Sequence, residues 1–228
     1  MKFEFEKDKL LVLLLITDFV FIILHILNLY TGLLNSSFYL LTRDRGYAEF
    51  FQYTKELWIA VLFLILGIKR KQGIFYVFSL LFLYLLIDDS FEIHEKLGQI
   101  IAETFNFQPW FGLRAVDFGE LIVYAVYGLL FFTALILFFI LSDQLGRQIA
   151  VYMAIFFVLL AFFVVVMDMV AVMVDHRGTA WVLEIIEEGG EMLVISLITW
   201  FVYRLNYQDE QLPLHWLPIK ASKRLAKD

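Results

Sequence analysis

Cysteine is absent from this chain of 228 residues, and histidine and proline are scarce. Without cysteine there is no disulfide framework, no thiolate metal ligand and no redox thiol. Four histidines are too few for the histidine boxes of membrane hydroxylases and desaturases. Neither His-Glu-x-x-His nor Gly-x-Ser-x-Gly occurs, which removes the common metalloprotease and serine-hydrolase signatures. No lysine lies between Lys96 and Lys220, so a retinal Schiff base on the last three helices is excluded. Of the three prolines, two fall in a polar tail at the C-terminal end. The loops are short, and no soluble domain fits between the apolar segments.

Apolar residues are abundant, at 61% of the chain with a mean hydropathy of +0.78, against about 45–50% in soluble domains. Segments of about 20 apolar residues are long enough to cross the hydrocarbon core as helices. Six are expected, over 10–34, 47–69, 73–95, 118–141, 149–174 and 181–204. The fold class is therefore an all-α integral membrane protein, a six-helix transmembrane bundle formed by residues 1–204 with a short tail over 205–228. Leu97 to Leu113 alternates aromatic with polar residues, as an interfacial helix or an aromatic loop at the bilayer edge does. Trp181 and Trp200 sit near opposite ends of the last segment, where interface anchors are found.

Lys69, Arg70 and Lys71 lie between the second and third segments and are expected in the cytoplasm by the positive-inside rule. With that choice twelve Lys/Arg fall on the inner side. Six fall on the outer side, namely Arg43, Arg45, Lys55, Lys96, Arg114 and Arg177. Both termini are then cytoplasmic, and the setting is a bacterial-type plasma membrane. The net charge of −6 averages a basic inner face with an acidic outer half, and no nucleic-acid partner is expected.

The densest chemistry is a pair of acidic clusters inside membrane-length segments, one over 88–95 and one over 184–191. Each ionised acid near a helix centre costs roughly 2.5–3.5 kcal/mol on insertion scales, so the four glutamates of the second cluster oppose insertion by roughly 10 kcal/mol unless neutralised. Polar residues recur seven apart on every helix, about two turns along one face. Asp18 with His25, Glu49 with Glu56, Asp88 with Glu95, and Glu184 with Glu191 are examples. Helical rise places His25, Glu56, Asp88, Glu188 and Glu191 at one depth, roughly 20–25 Å from the basic end. Glu92, Asp168 and Glu184 fall higher, giving a polar cavity that opens to the outer side.

Hard oxygen donors on facing helices are how bundle-core metal sites are built. The expected ligands are Asp88, Glu92, Glu188, Glu191 and His25, with His25 and Glu56 in catalytic acid/base or bridging roles. Glu95, Asp168, Glu184 and Glu187 form a second layer. An oxygen-rich, cysteine-free site suits a divalent Mn, Fe, Zn, Ca or Mg ion. His94 points away from Asp88 and Glu92 on a regular helix, so it becomes a ligand only if the helix unwinds. Gly189-Gly190 marks either an unwound break or close helix packing. The absence of Glu-x-x-His separates the chain from carboxylate-bridged di-metal bundles.

The expected function is metal-assisted chemistry on a lipid or other membrane-soluble substrate. The competing class is a proton- or cation-coupled transporter or channel, for which Asp18 is the one acidic step in the inner half of the ion path. A third reading has the acids sharing protons and bonding between helices.

Overall fold

The computed structural model describes residues 5–31, 34–173 and 177–207. The tail beyond 207, together with Asp175 and His176, lies outside the described residues. Helix α1 spans Phe5–Thr31, and a short 3-10 turn at Ser37–Tyr39 leads to α2, Tyr47–Arg70. Helices α3, Gly73–Phe91, and α4, Ile93–Thr104, follow, then α5, Ala115–Leu141. The chain continues as α6, Gln144–Ala161, passes through wider i→i+5 turns over Phe162–Met167, and closes with α7, Asp168–Met173, and α8, Arg177–Tyr207.

The ends of these helices follow from local chemistry. Lys71 adopts the left-handed conformation (φ 52°, ψ 39°) and its N–H bonds to the Gly67 carbonyl at 2.8 Å. Lys69 and Arg70 in the last turn of α2 face the negative end of its dipole. Asp143 opens α6 by accepting the Gly146 N–H at 2.8 Å, the usual N-cap role of aspartate. At the start of α5, Asp117 accepts both the Arg114 backbone N–H at 2.7 Å and its Nε–H at 2.9 Å.

Among the described residues five helices are long and apolar enough to cross a membrane: Asp8–Thr31, Tyr47–Arg70, Gly73–Phe91, Ala115–Leu141 and Gln144–Ala171. Large apolar side chains cover their outer faces, with Leu129 and Val158 each 70% exposed. Such a surface suits lipid and not water. The sixth long helix, α8, runs 31 residues and packs against α1, α2 and α6. Its glutamates lower its hydropathy, and Met192, Ile195, Ile198, Phe201, Val202 and Leu205 are buried by its neighbours.

Toward the basic end the interior is filled with aromatic rings. Phe63 stands 5.0 Å from Phe78 between centroids, and Phe157 lies 5.7 Å from Phe82 and 5.4 Å from Phe131. Trp200 belongs to this interior, being 3% exposed with its indole N–H donating to Asp8 at 3.1 Å. The expected anchoring role is therefore not the one it has, since an indole at the bilayer edge keeps its N–H in water. Trp181 instead meets Tyr30 edge to face at 5.5 Å.

Two glycine contacts set how closely helices approach. At Gly190 an added Cβ would stand 2.3 Å from the Phe163 ring, and α8 continues through Gly189-Gly190 without a break. The pair therefore serves packing. Where α4 crosses α5, a Cβ on Gly119 would stand 2.0 Å from the Gly98 carbonyl oxygen. Backbone cannot yield as a side-chain tip does, so Gly119→Ala should cost about 1–3 kcal/mol. The drop should appear in thermal unfolding in detergent, and wild-type melting would contradict the crossing.

Candidate functional site

Helix α3 was expected to run to residue 95, but it turns at Glu92. Glu92 takes the left-handed conformation (φ 53°, ψ 44°), a strained choice for a residue with a Cβ. Its carboxylate is held by Arg45 at 2.9 Å and Lys96 at 3.4 Å. The turn restarts the chain as α4 and brings His94 back over the end of α3. Asp88 then accepts the His94 backbone N–H at 2.9 Å, and its second oxygen lies 3.1 Å from His94 Nδ1.

One donor atom from each of Asp88, Asp89 and His94 lies within 4.8 Å of the others. Burial works against the charged form of His94, but the carboxylates of Asp88, Asp89 and Glu95 outweigh it and raise the imidazole pKa above its ordinary value. Burial, with Asp44 and Glu92 adding to it, raises Glu95. The unwound end that would recruit His94 is present. Asp89 joins it, a residue that heptad spacing passes over in favour of Asp88.

Asp89 and His94 line a cavity of about 590 Å³ at the end of the bundle away from Lys69–Lys71. Among the expected site residues, Glu92, Glu95, Asp168, Glu187, Glu188 and Glu191 line the same space. Carboxylates outnumber the basic side chains Arg43, Lys96 and Arg114 there. The wide turns of Phe162–Met167 immediately precede Asp168, a placement common for such turns beside functional sites. Helix α8 supplies Glu191, which accepts a hydrogen bond from the Gln52 amide of α2.

Other expected residues sit elsewhere. Glu56 is 1% exposed and not part of the cavity wall, although its carboxylate lies within hydrogen-bonding reach of Asp89. Glu184 and His25 are also outside the lining. His25 Nδ1 accepts the Leu41 N–H at 3.0 Å, and its Nε2 is buried with no hydrogen-bond partner among the described residues. Asp18 lies deeper, 3.0 Å from Lys55 Nζ and 2.5 Å from Ser196 Oγ. Lys55, counted above as an outer charge, is fully buried and also donates to the Met192 carbonyl at 2.9 Å and to Ser196 at 3.2 Å. A charge count cannot separate an interior lysine from a loop lysine.

A search of curated proteins returns no match, and a search of solved structures returns none. Residues 10–206, nearly the whole helical bundle with both acidic clusters, match one family model, and the chain belongs to the family described as the domain of unknown function DUF8692.

Proposed function

We propose that this protein binds a divalent metal at Asp88, Asp89 and His94 and is a metal-dependent enzyme acting on a lipid or other membrane-soluble substrate. The observation that carries the reading is the meeting of these three donors on two helices that Glu92 redirects. Ligands about 2.1 Å from a shared ion stand at most about 4.2 Å apart, so a spread of 4.8 Å closes with a small side-chain movement. Two carboxylates and one imidazole suit Mn, Fe or Zn better than Ca or Mg. Bound there, the metal would polarise a substrate oxygen or activate water.

The cavity adds the second element of an enzyme. At about 590 Å³ it falls in the range of small-molecule sites, roughly 300–1,000 Å³, and is far larger than an ion requires. Glu188 and Glu191 line its wall, where they are placed to hold metal-bound groups or move protons. In this reading α8 is the sixth membrane span, the basic end faces the cytoplasm of a bacterial-type plasma membrane, and the acidic cavity opens outward.

Transport fits the interior less well. Below the cavity a cation would meet the Lys55 ammonium and then the phenylalanine packing around Phe63 and Phe78. Protein purified in detergent should retain at least about one equivalent of a transition metal, and His94→Ala and Asp88→Asn should lose it. Elemental analysis makes the measurement. Metal-free wild type that gains no stability from Mn, Fe, Zn, Ca or Mg would refute the reading, and cation flux through wild type in liposomes would replace it with transport.

A further inference from the structure

Two walls of the acidic cavity do not pack on each other. Val116, Glu120 and Tyr124 of α5 line one side, and Val164 of the wide turns with Asp168 of α7 lines another. A glycine contact draws each wall toward a different neighbour. On α5, Gly119 lies against the Gly98 backbone of α4, while the Phe163 ring of the wide turns lies against Gly190 of α8. α5 accordingly packs on α3, α4 and α6, and the wide turns pack on α6, α7 and α8. Among the described residues no helix interface joins α5 to the wide turns or to α7.

The gap between them is framed at both ends. Toward the outer end a Cβ on Gly112, just before α5, would stand 3.6 Å from Met173 Cγ at the end of α7. Toward the basic end the Phe131 ring of α5 meets Phe157 of α6 at 5.4 Å. Between these contacts α5 runs from Ala115 to Phe131, about 24 Å at 1.5 Å per residue, which exceeds half of a hydrocarbon core of about 30 Å. The lower part of the gap therefore lies at the depth of lipid chains. Gly128 stands there, four residues after Tyr124 and three before Phe131, so the three share one face of α5. A Cβ added at Gly128 would meet nothing within 4 Å. Two of the three aliphatic residues in the cavity lining, Val116 and Val164, belong to the facing walls, which gives the gap an apolar edge.

We infer that the cavity is entered sideways from the membrane, through this window between α5 and the wide turns, by an amphiphilic lipid. Its polar head lies among the charged groups of the cavity, and its hydrocarbon chain stays in the window against Val116, Val164 and the bare face of α5 at Gly128. Ionised walls keep their hydration and exclude a chain, whereas an apolar edge accepts one. The amphiphile thus has a single way round. Phe162 and Val166 of the wide turns are 45% and 47% exposed, so the rim of the window continues into the lipid-facing surface of the bundle. The inference deepens the enzyme reading above by naming its substrate class, and rests on that reading only for the chemistry done on the head. Asp89 and His94 line the same cavity, so the bond acted upon belongs to the head and not to the chain.

The test places the full chain in phosphatidylcholine vesicles in which a small fraction of the lipid carries a photoreactive diazirine on its acyl chain near the ester. After illumination, mass spectrometry maps the attachment sites. Wild type should be labelled at Val116, Tyr124 or Val164 inside the window as well as on outward faces such as Leu129. Gly128→Trp should lose the inner labels and keep the outer one, because the indole occupies space that is empty in wild type and displaces no neighbour. Gly128→Ala adds only a methyl group and should keep both. Labels confined to outward faces in wild type would overturn the inference, and this map decides by itself if the tryptophan variant does not fold. Inner labels that persist in a Gly128→Trp protein melting with wild type would overturn it as well. No metal takes part in the labelling. A metal-free protein labelled inside the window would refute the enzyme reading and keep the lateral site, and a metal-loaded protein labelled only outside would do the reverse.

Discussion

Lys55→Met should lower the stability of the detergent-solubilised protein by about 3–5 kcal/mol, the range for breaking a buried ion pair from one side. The magnitude follows from what remains. Asp18 is fully buried, and without the ammonium only Ser196 Oγ, at 2.5 Å, remains among the described residues to donate to its carboxylate. At about 2–4 °C per kcal/mol for a chain of this size, the melting temperature should fall by roughly 6–20 °C. Asp18→Asn should cost less, because the amide still accepts a hydrogen bond from Lys55 while the lysine keeps two further acceptors. Removing both charges together should recover much of the loss, and the double-mutant cycle measures the coupling. A Lys55→Met protein that melts with wild type would mean the pair is not formed. The pairing also changes how Asp18 is tested for transport, since a flux defect in Asp18→Asn must be separated from loosened packing.

Asp88 carries the second large effect. It caps the first turn of α4 through the His94 N–H and also holds the His94 ring. Hydrogen bonds to a charged group are worth about 1.5–3 kcal/mol, so Asp88→Ala should destabilise even metal-free protein by that amount. Asp88→Asn keeps an acceptor for the backbone N–H and should cost less. On the proposed metal reading, saturating metal should raise the melting temperature of wild type, by about 2.7 kcal/mol of stability at a hundredfold excess over Kd, and both variants should lose that rise. Calorimetry with and without Mn²⁺ or Zn²⁺ separates the two roles. A metal response in Asp88→Ala equal to that of wild type would place the ion elsewhere.

The helices were legible because runs of about 20 apolar residues leave the backbone few alternatives. α8 was legible as a helix despite its acids, since apolar residues continue on both sides of Glu184–Glu191, and it runs 31 residues. The turn at Glu92 was not. Neither glycine nor proline marks it, and its carboxylate is held by a distant partner, Arg45 from the loop before α2, together with Lys96 one turn on. A regular helix through residue 95 puts Asp88, Glu92 and Glu95 on one face and turns His94 away. The broken one turns Glu92 toward Arg45 and gives its place beside Asp88 to His94. The polar layer itself could be read from heptad spacing, and Glu187, Glu188 and Glu191 do share one cavity with Asp168. Spacing along single helices cannot say which residues on different helices meet, so Glu56 against Asp89 and Lys55 against Asp18 needed three dimensions.

The Lys55 contacts also set the order in which the bundle can be built. As α1 and α2 leave the insertion machinery, Asp18 and Lys55 are 37 residues apart and can neutralise one another in the nascent hairpin. The ammonium still has two protons without acceptors, because Met192 and Ser196 follow 137 and 141 residues later. Those acceptors arrive on the same helix that supplies Glu191 to the cavity wall. Biogenesis is thereby tied to completeness. A chain that stops before α8 lacks both of those acceptors for Lys55, and its acidic cavity lacks the wall that Glu187, Glu188 and Glu191 supply.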